Sequence, residues 1–116
     1  VTGPHFNDLH AMFMGQYTEM WNAVDLVAER IRALGEFAPG SYAQFAALTA
    51  IKENDGVPRW QKMVQELVDG HETVVRTCRE ILPAAQKAGD EGSVTLITDR
   101  MGVHEKTAWM LRAVME

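Results

Sequence analysis

A chain of 116 residues holds one domain with a single core, and its 11 basic against 16 acidic residues give a net charge of -5, which works against binding phosphate backbones through the body of the domain. Hydrophobic residues make up 47% and charged residues 23%, a balance that excludes an unfolded polar chain and, with Met and Ala outweighing β-branched residues, favours helices. The single Cys78 excludes an intramolecular disulfide and no apolar run approaches the roughly 20 residues of a membrane span, so a reducing, cytoplasmic setting with no membrane partner is expected.

Pro4 suits the opening turn of a helix and Gly35 its end, so residues 4–35 are predicted as one long helix. Along it Phe6, Phe13, Met20, Val27 and Leu34 recur every seven residues, and His10, Tyr17, Val24 and Ile31 form a second row beside them, the pattern of a bundle seam. Residues 36–57 read as a crossover in which Pro39-Gly40 and Asn54-Asp55-Gly56 bracket a short helix over 42–50. A second long helix is predicted from Pro58, with Trp60, Leu67, Val74 and Ile81 in one row and Val64, His71 and Cys78 in the other; Pro83 disturbs or ends it. Gly89 and Gly92 mark a turn. Ser93 is the predicted N-cap of a last helix reaching the C-terminus, with Val94, Met101, Ala108 and Met115 in register and Ile97, His104 and Leu111 beside them.

Strand-like alternation is absent, so the fold class is all-α. Three long helices leave one side of a shared core uncovered, and the complete arrangement is a four-helix bundle with a short helix in the long crossover. The pattern therefore predicts that the first helix of the bundle is missing from the sequence, residues 1–4 being the loop that follows it.

Asp25 and Glu29 are four residues apart on one helix face, where two like charges cost a few tenths of a kcal/mol unless a cation offsets them. A metal would do so; a solvated acidic patch leaning on Arg30 or Arg32 is the plainer alternative. His10 stands fifteen residues before Asp25, about 22 Å along the helix axis, so one chain cannot bring the three to one ion. Two copies of the helix packed antiparallel across a two-fold axis near Tyr17 and Thr18 would set His10 of one opposite Asp25 and Glu29 of the other. Imidazole with carboxylates suits iron or another divalent first-row metal. A di-iron site inside the bundle is not expected, because Val68 and Met101 stand where Glu would precede His71 and His104. Those two histidines read as core or interhelical hydrogen-bonding residues, and Cys78 as a buried structural thiol.

Gly3-Pro4-His5-Phe6 with Leu9-His10, Asp25-Leu26-Val27-Ala28-Glu29-Arg30-Ile31 and Ala33-Leu34-Gly35, together with His104-Glu105-Lys106-Thr107-Ala108-Trp109-Met110-Leu111-Arg112, resemble the Dps family of mini-ferritins within the ferritin-like superfamily. The likeness covers nearly the whole chain, and the spacing from His10 to Asp25 and Glu29 is its most specific part. It implies one ferritin-like domain assembling into a hollow dodecameric homo-oligomer, with a ferroxidase centre shared across each two-fold interface. His10 would be the iron ligand from one subunit, and Asp25 and Glu29 the ligands from its partner. The implied activity is oxidation of ferrous iron by hydrogen peroxide, storage of ferric mineral in the shell and protection of DNA, in the cytoplasm or on the nucleoid. DNA would be bound through an N-terminal tail outside the sequence, and a further family histidine, in a His-Trp-Asn motif, would stand just before Val1. The family usually places Asp or Glu one turn after His10; here that residue is Met14, a poor donor to iron, with Glu19 as a candidate replacement only if the helix is irregular. Asp90, Glu91 and Asp99 could line an entry pore or simply compensate a helix dipole. Three functions follow: a working ferroxidase, a DNA-protecting shell with a centre impaired by Met14, or a helical interaction module without chemistry.

Overall fold

The first helix, α1, spans Phe6–Ala33 without interruption. Its end is fixed by Gly35 at φ 98°: the Gly35 N–H donates to the Arg32 carbonyl and the Glu36 N–H to that of Ile31, a Schellman closure open to glycine because the left-handed region is strained for other residues. The computed structural model describes all of residues 1–116 and adds α2 at Tyr42–Leu48, α3 at Trp60–Lys87 and α4 at Glu91–Val114, with no strand. The all-α expectation holds, and no helix is long and apolar enough to cross a membrane.

Several boundaries differ from expectation, three of them with a clear local cause. The short helix stops at Leu48, because Thr49 turns extended and its hydroxyl accepts from the Ile51 N–H; its start is set by a capping box between Ser41 and Gln44. Pro83 does not end α3. It removes one donor, yet Ala84, Ala85, Gln86 and Lys87 are good helix formers and carry the helix one more turn to a second Schellman closure at Gly89, φ 68°. The N-cap of α4 is Asp90, not Ser93: the Asp90 carboxylate accepts from the Ser93 backbone N–H and hydroxyl. Asp outcompetes Ser here because a full negative charge at a helix N-terminus is favoured by the aligned peptide dipoles.

The chain forms two compact units, Pro4–Asn54 and Val1–Gly3 with Asp55–Glu116. In the second, α3 packs on α4. Val64, Val68, His71, Val75 and Cys78 are its buried stripe on α3, at alternating steps of four and three, and Ser93, His104, Ala108 and Leu111 are buried on α4. The expected row of Val64, His71 and Cys78 is therefore buried, while its companion row is Val68 and Val75 in place of Leu67 and Val74. Arg112 meets Glu72 at 2.9 Å and Arg79 meets Glu105 at 3.5 Å across the two helices, exposed pairs worth at most about 1 kcal/mol each.

In the first unit α1 buries only Leu9 and Ala23. The expected seam of His10, Tyr17 and Val24 lies instead on an exposed face, and Phe6, Met20, Val27 and Leu34 are also largely exposed. The buried arc is turned by one residue, about 100° of helix, from the second predicted row.

Candidate metal centre

His10 sits in the second turn of α1, exposed, with its ring stacked on Phe6 at 5.2 Å between centroids and 22° between planes. Asp25 and Glu29 lie in the last three turns of the same helix, also exposed. A hydrogen bond that the protonated Glu29 carboxyl donates to Asp25, followed by the like charge of the Asp25 carboxylate, pushes the Glu29 carboxyl above the ordinary carboxylate range. The two carboxyl groups therefore form one adjoining pair, as their spacing implies. Arg32 does not neutralise it: its guanidinium donates to the Glu36 carbonyl at 2.8 Å and lies 4.4 Å over the Phe37 ring.

Because α1 is one continuous helix, His10 stays roughly 22 Å from Asp25 along the axis. No three His, Cys, Asp or Glu side chains converge within the chain. What lies between the two ends was not legible as a surface in the sequence. Met14, Tyr17, Trp21 and Val24, at 49%, 65%, 80% and 60% exposure, continue from His10 at steps of four, three, four and three. They make a straight apolar stripe on the side of α1 away from Leu9 and Ala23. Met14 and Trp21, themselves seven residues apart, belong to neither predicted row.

His71 and His104 are far from free ligands. His71 Nδ1 and His104 Nδ1 lie 2.8 Å apart, both residues buried between α3 and α4, and Arg100 Nη2 is 2.8 Å from His104 Nε2. A guanidinium only donates, so His104 Nε2 accepts, His104 Nδ1 carries the proton, and His71 Nδ1 accepts in turn. The network assigns the His71 proton to Nε2. This matches the expected interhelical hydrogen-bonding role. Cys78 is buried as expected, and burial pushes its thiol up, opposed in part by Arg100. Asp90 is occupied as a cap.

The ferritin-like domain profile matches residues 1–116, the whole chain. A DNA protection during starvation protein of Bacillus anthracis is 30% identical over 115 residues, 99% of this chain and 79% of that protein. The crystal structure of the Dps protein from Vibrio cholerae O1, described as a member of a broad superfamily of ferritin-like diiron-carboxylate proteins, superposes with a TM-score of 0.95 at 34% identity, covering 100% of this chain and 73% of that one. The chain belongs to the Dps family. A low temperature-induced protein of Nostoc is 36% identical over 118 residues, and this chain spans 66% of its length. The three long helices α1, α3 and α4 and the short α2 together superpose on that Dps structure, a ferritin-like all-α fold. Superfamily membership implies iron handling, and the donors at hand fit it in kind: an imidazole and two adjoining carboxylates are ligands that ferrous iron accepts.

Proposed function

We propose that the chain is the subunit of a cytoplasmic, hollow homo-oligomeric shell, a dodecamer, that takes up ferrous iron, oxidises it with hydrogen peroxide and stores the ferric product. The observation that carries this reading is the exposed stripe of Met14, Tyr17, Trp21 and Val24 lying between His10 and the carboxylate pair. Monomeric proteins rarely leave a contiguous apolar stripe in water, and a second copy of α1 running antiparallel across a two-fold axis near Tyr17 and Thr18 would cover it. The same operation sets His10 opposite Asp25 and Glu29 of the second copy at each end of the stripe, which gives two equivalent sites per pair of chains.

At each site ferrous iron is a substrate held by the His10 imidazole and the Asp25 and Glu29 carboxylates. A divalent cation relieves the repulsion that Asp25 imposes on Glu29, and binding therefore favours both as carboxylates. Two ferrous ions each give one electron to one hydrogen peroxide, whose O–O bond breaks to leave two hydroxides. Met14 favours a second reading, a storing or DNA-protecting shell whose oxidation step is slow, since its thioether donates poorly to iron. DNA binding would come from chain beyond the acidic body described here.

Anaerobic ferrous titration of the full-length protein, followed by stoichiometric peroxide with absorbance recorded, tests the site. His10→Ala, and Asp25→Ala with Glu29→Ala, are expected to reduce oxidation to background while sedimentation still shows the shell. Unchanged kinetics in these variants would remove the assignment; background oxidation in the unaltered protein would leave the slow-centre reading.

A further inference from the structure

Met14 follows His10 by one helical turn, so the two side chains share a face with Cβ atoms about 5–6 Å apart. Both are exposed, and the stack on Phe6 holds the His10 ring in place. An imidazole nitrogen and a thioether sulfur offered together do not suit a hard cation. Thioether sulfur is a soft donor that selects monovalent copper, and imidazole suits copper as well. Met101 also has a histidine within a turn, but His104 is buried and both of its ring nitrogens are hydrogen-bonded. The pair on α1 is thus the accessible one.

We infer that His10 and Met14 form a binding site for monovalent copper, covered in the assembled protein by the indole of Trp21 from a second copy. The cover rests on the two-fold reading above: the same antiparallel operation about Tyr17 and Thr18 that sets His10 opposite Asp25 sets Met14 opposite Trp21. Trp21 is the most exposed residue of the stripe and has no role in the ferrous chemistry. An indole face attracts a cation through its quadrupole and excludes water from it. Copper would be held by one nitrogen and one sulfur, with Asp25 and Glu29 of the second copy beside it. Monovalent copper and ferrous iron would then compete for His10, and the soft donor one turn on decides in favour of copper.

The test is competition of Cu(I) against bicinchoninate on the full-length protein under anaerobic conditions, with copper X-ray absorption and tryptophan emission recorded. One Cu(I) per chain with a sulfur scatterer is expected. Met14→Leu should weaken binding roughly tenfold or more, as loss of a metal-site group does. Met110→Leu, an exposed methionine on α4 without a histidine one turn away, should change nothing. Met14→Glu should lose Cu(I) affinity and gain ferrous oxidation rate. Emission should fall on copper binding, and the fall should vanish in Trp21→Phe. A spectrum without sulfur, or equal affinity in Met14→Leu, overturns the copper site even where the His10, Asp25 and Glu29 variants have abolished iron oxidation. Met14-dependent binding in a protein that sediments only as a monomer supports the His10 and Met14 pair and overturns the Trp21 cover together with the two-fold reading.

Discussion

Helices α1 and α3 are each 28 residues long and use their apolar residues in opposite ways. On α3 five positions are buried in a regular stripe, with α4 packed against the helix. On α1 two positions are buried, while four apolar side chains and the candidate ligands share an exposed face. A helix that completes its core within the chain carries stability. One that leaves a stripe in water has surface to offer to another copy, and the proposed ligands stand at the two ends of that stripe. The difference predicts that substitutions will separate cleanly: those on α3 and α4 should act on unfolding, those on the exposed face of α1 on assembly and metal.

The largest effect on folding is expected at Leu111, fully buried at 0% exposure. Leu111→Ala removes apolar contacts and leaves a cavity, and should cost about 2–5 kcal/mol in denaturant unfolding. A cost within experimental error would mean that the α3 and α4 interface is not the stabilising one, and would reverse the comparison.

The histidine pair sharpens it at intermediate size. In His71→Leu the buried His104 N–H loses its acceptor, a penalty of about 1–3 kcal/mol. Adding His104→Leu should cost much less than a second such penalty, because removing both partners leaves no stranded donor, and the cycle should show coupling on the order of 1 kcal/mol. Nitrogen NMR should find the proton on Nδ1 of His104 and on Nε2 of His71. Additive costs, or the opposite tautomers, would break the directed chain from Arg100.

How far all this was legible differs by region for a physical reason. On α3 charged residues take up much of the outer face, and the seven-residue row through Val64, His71 and Cys78 is buried, as are His104 and Leu111 on α4. On α1 apolar residues cover well over half the circumference, and periodicity alone cannot tell which arc is buried and which is left in water. The second predicted row therefore contained His10, Tyr17 and Val24 of the exposed stripe, while Leu9 and Ala23, the residues actually buried, stood one position away. The end of α1 was read well, where glycine forces a left-handed closure at Gly35, whereas the end of α3 was left between Pro83 and the glycine turn at Gly89. The start of α4 was misread, where two capping residues compete, as Asp90 and Ser93 do. The helix rise alone sets His10 apart from the neighbouring Asp25 and Glu29, so the need for a second copy was readable from spacing, while the ligand roles rest on the family resemblance. The surface joining these residues was not readable, since exposure is a property of the folded chain.

Trp21 is the residue on which the two regions should differ most plainly. Most of its surface is already in water, so Trp21→Lys should leave unfolding of the subunit within about 0.5 kcal/mol of the unaltered chain, as surface substitutions usually do. The same change sets a charge in the middle of the stripe, four residues from Tyr17 and opposite Met14 of a second copy in the antiparallel arrangement. Burying an uncompensated charge there is unfavourable, and sedimentation should show the shell replaced by small species. Loss of assembly with stability retained is the signature of a face made for another copy. Loss of stability with assembly retained would mean that Trp21 supports the fold of the subunit and that the stripe is covered by the chain itself.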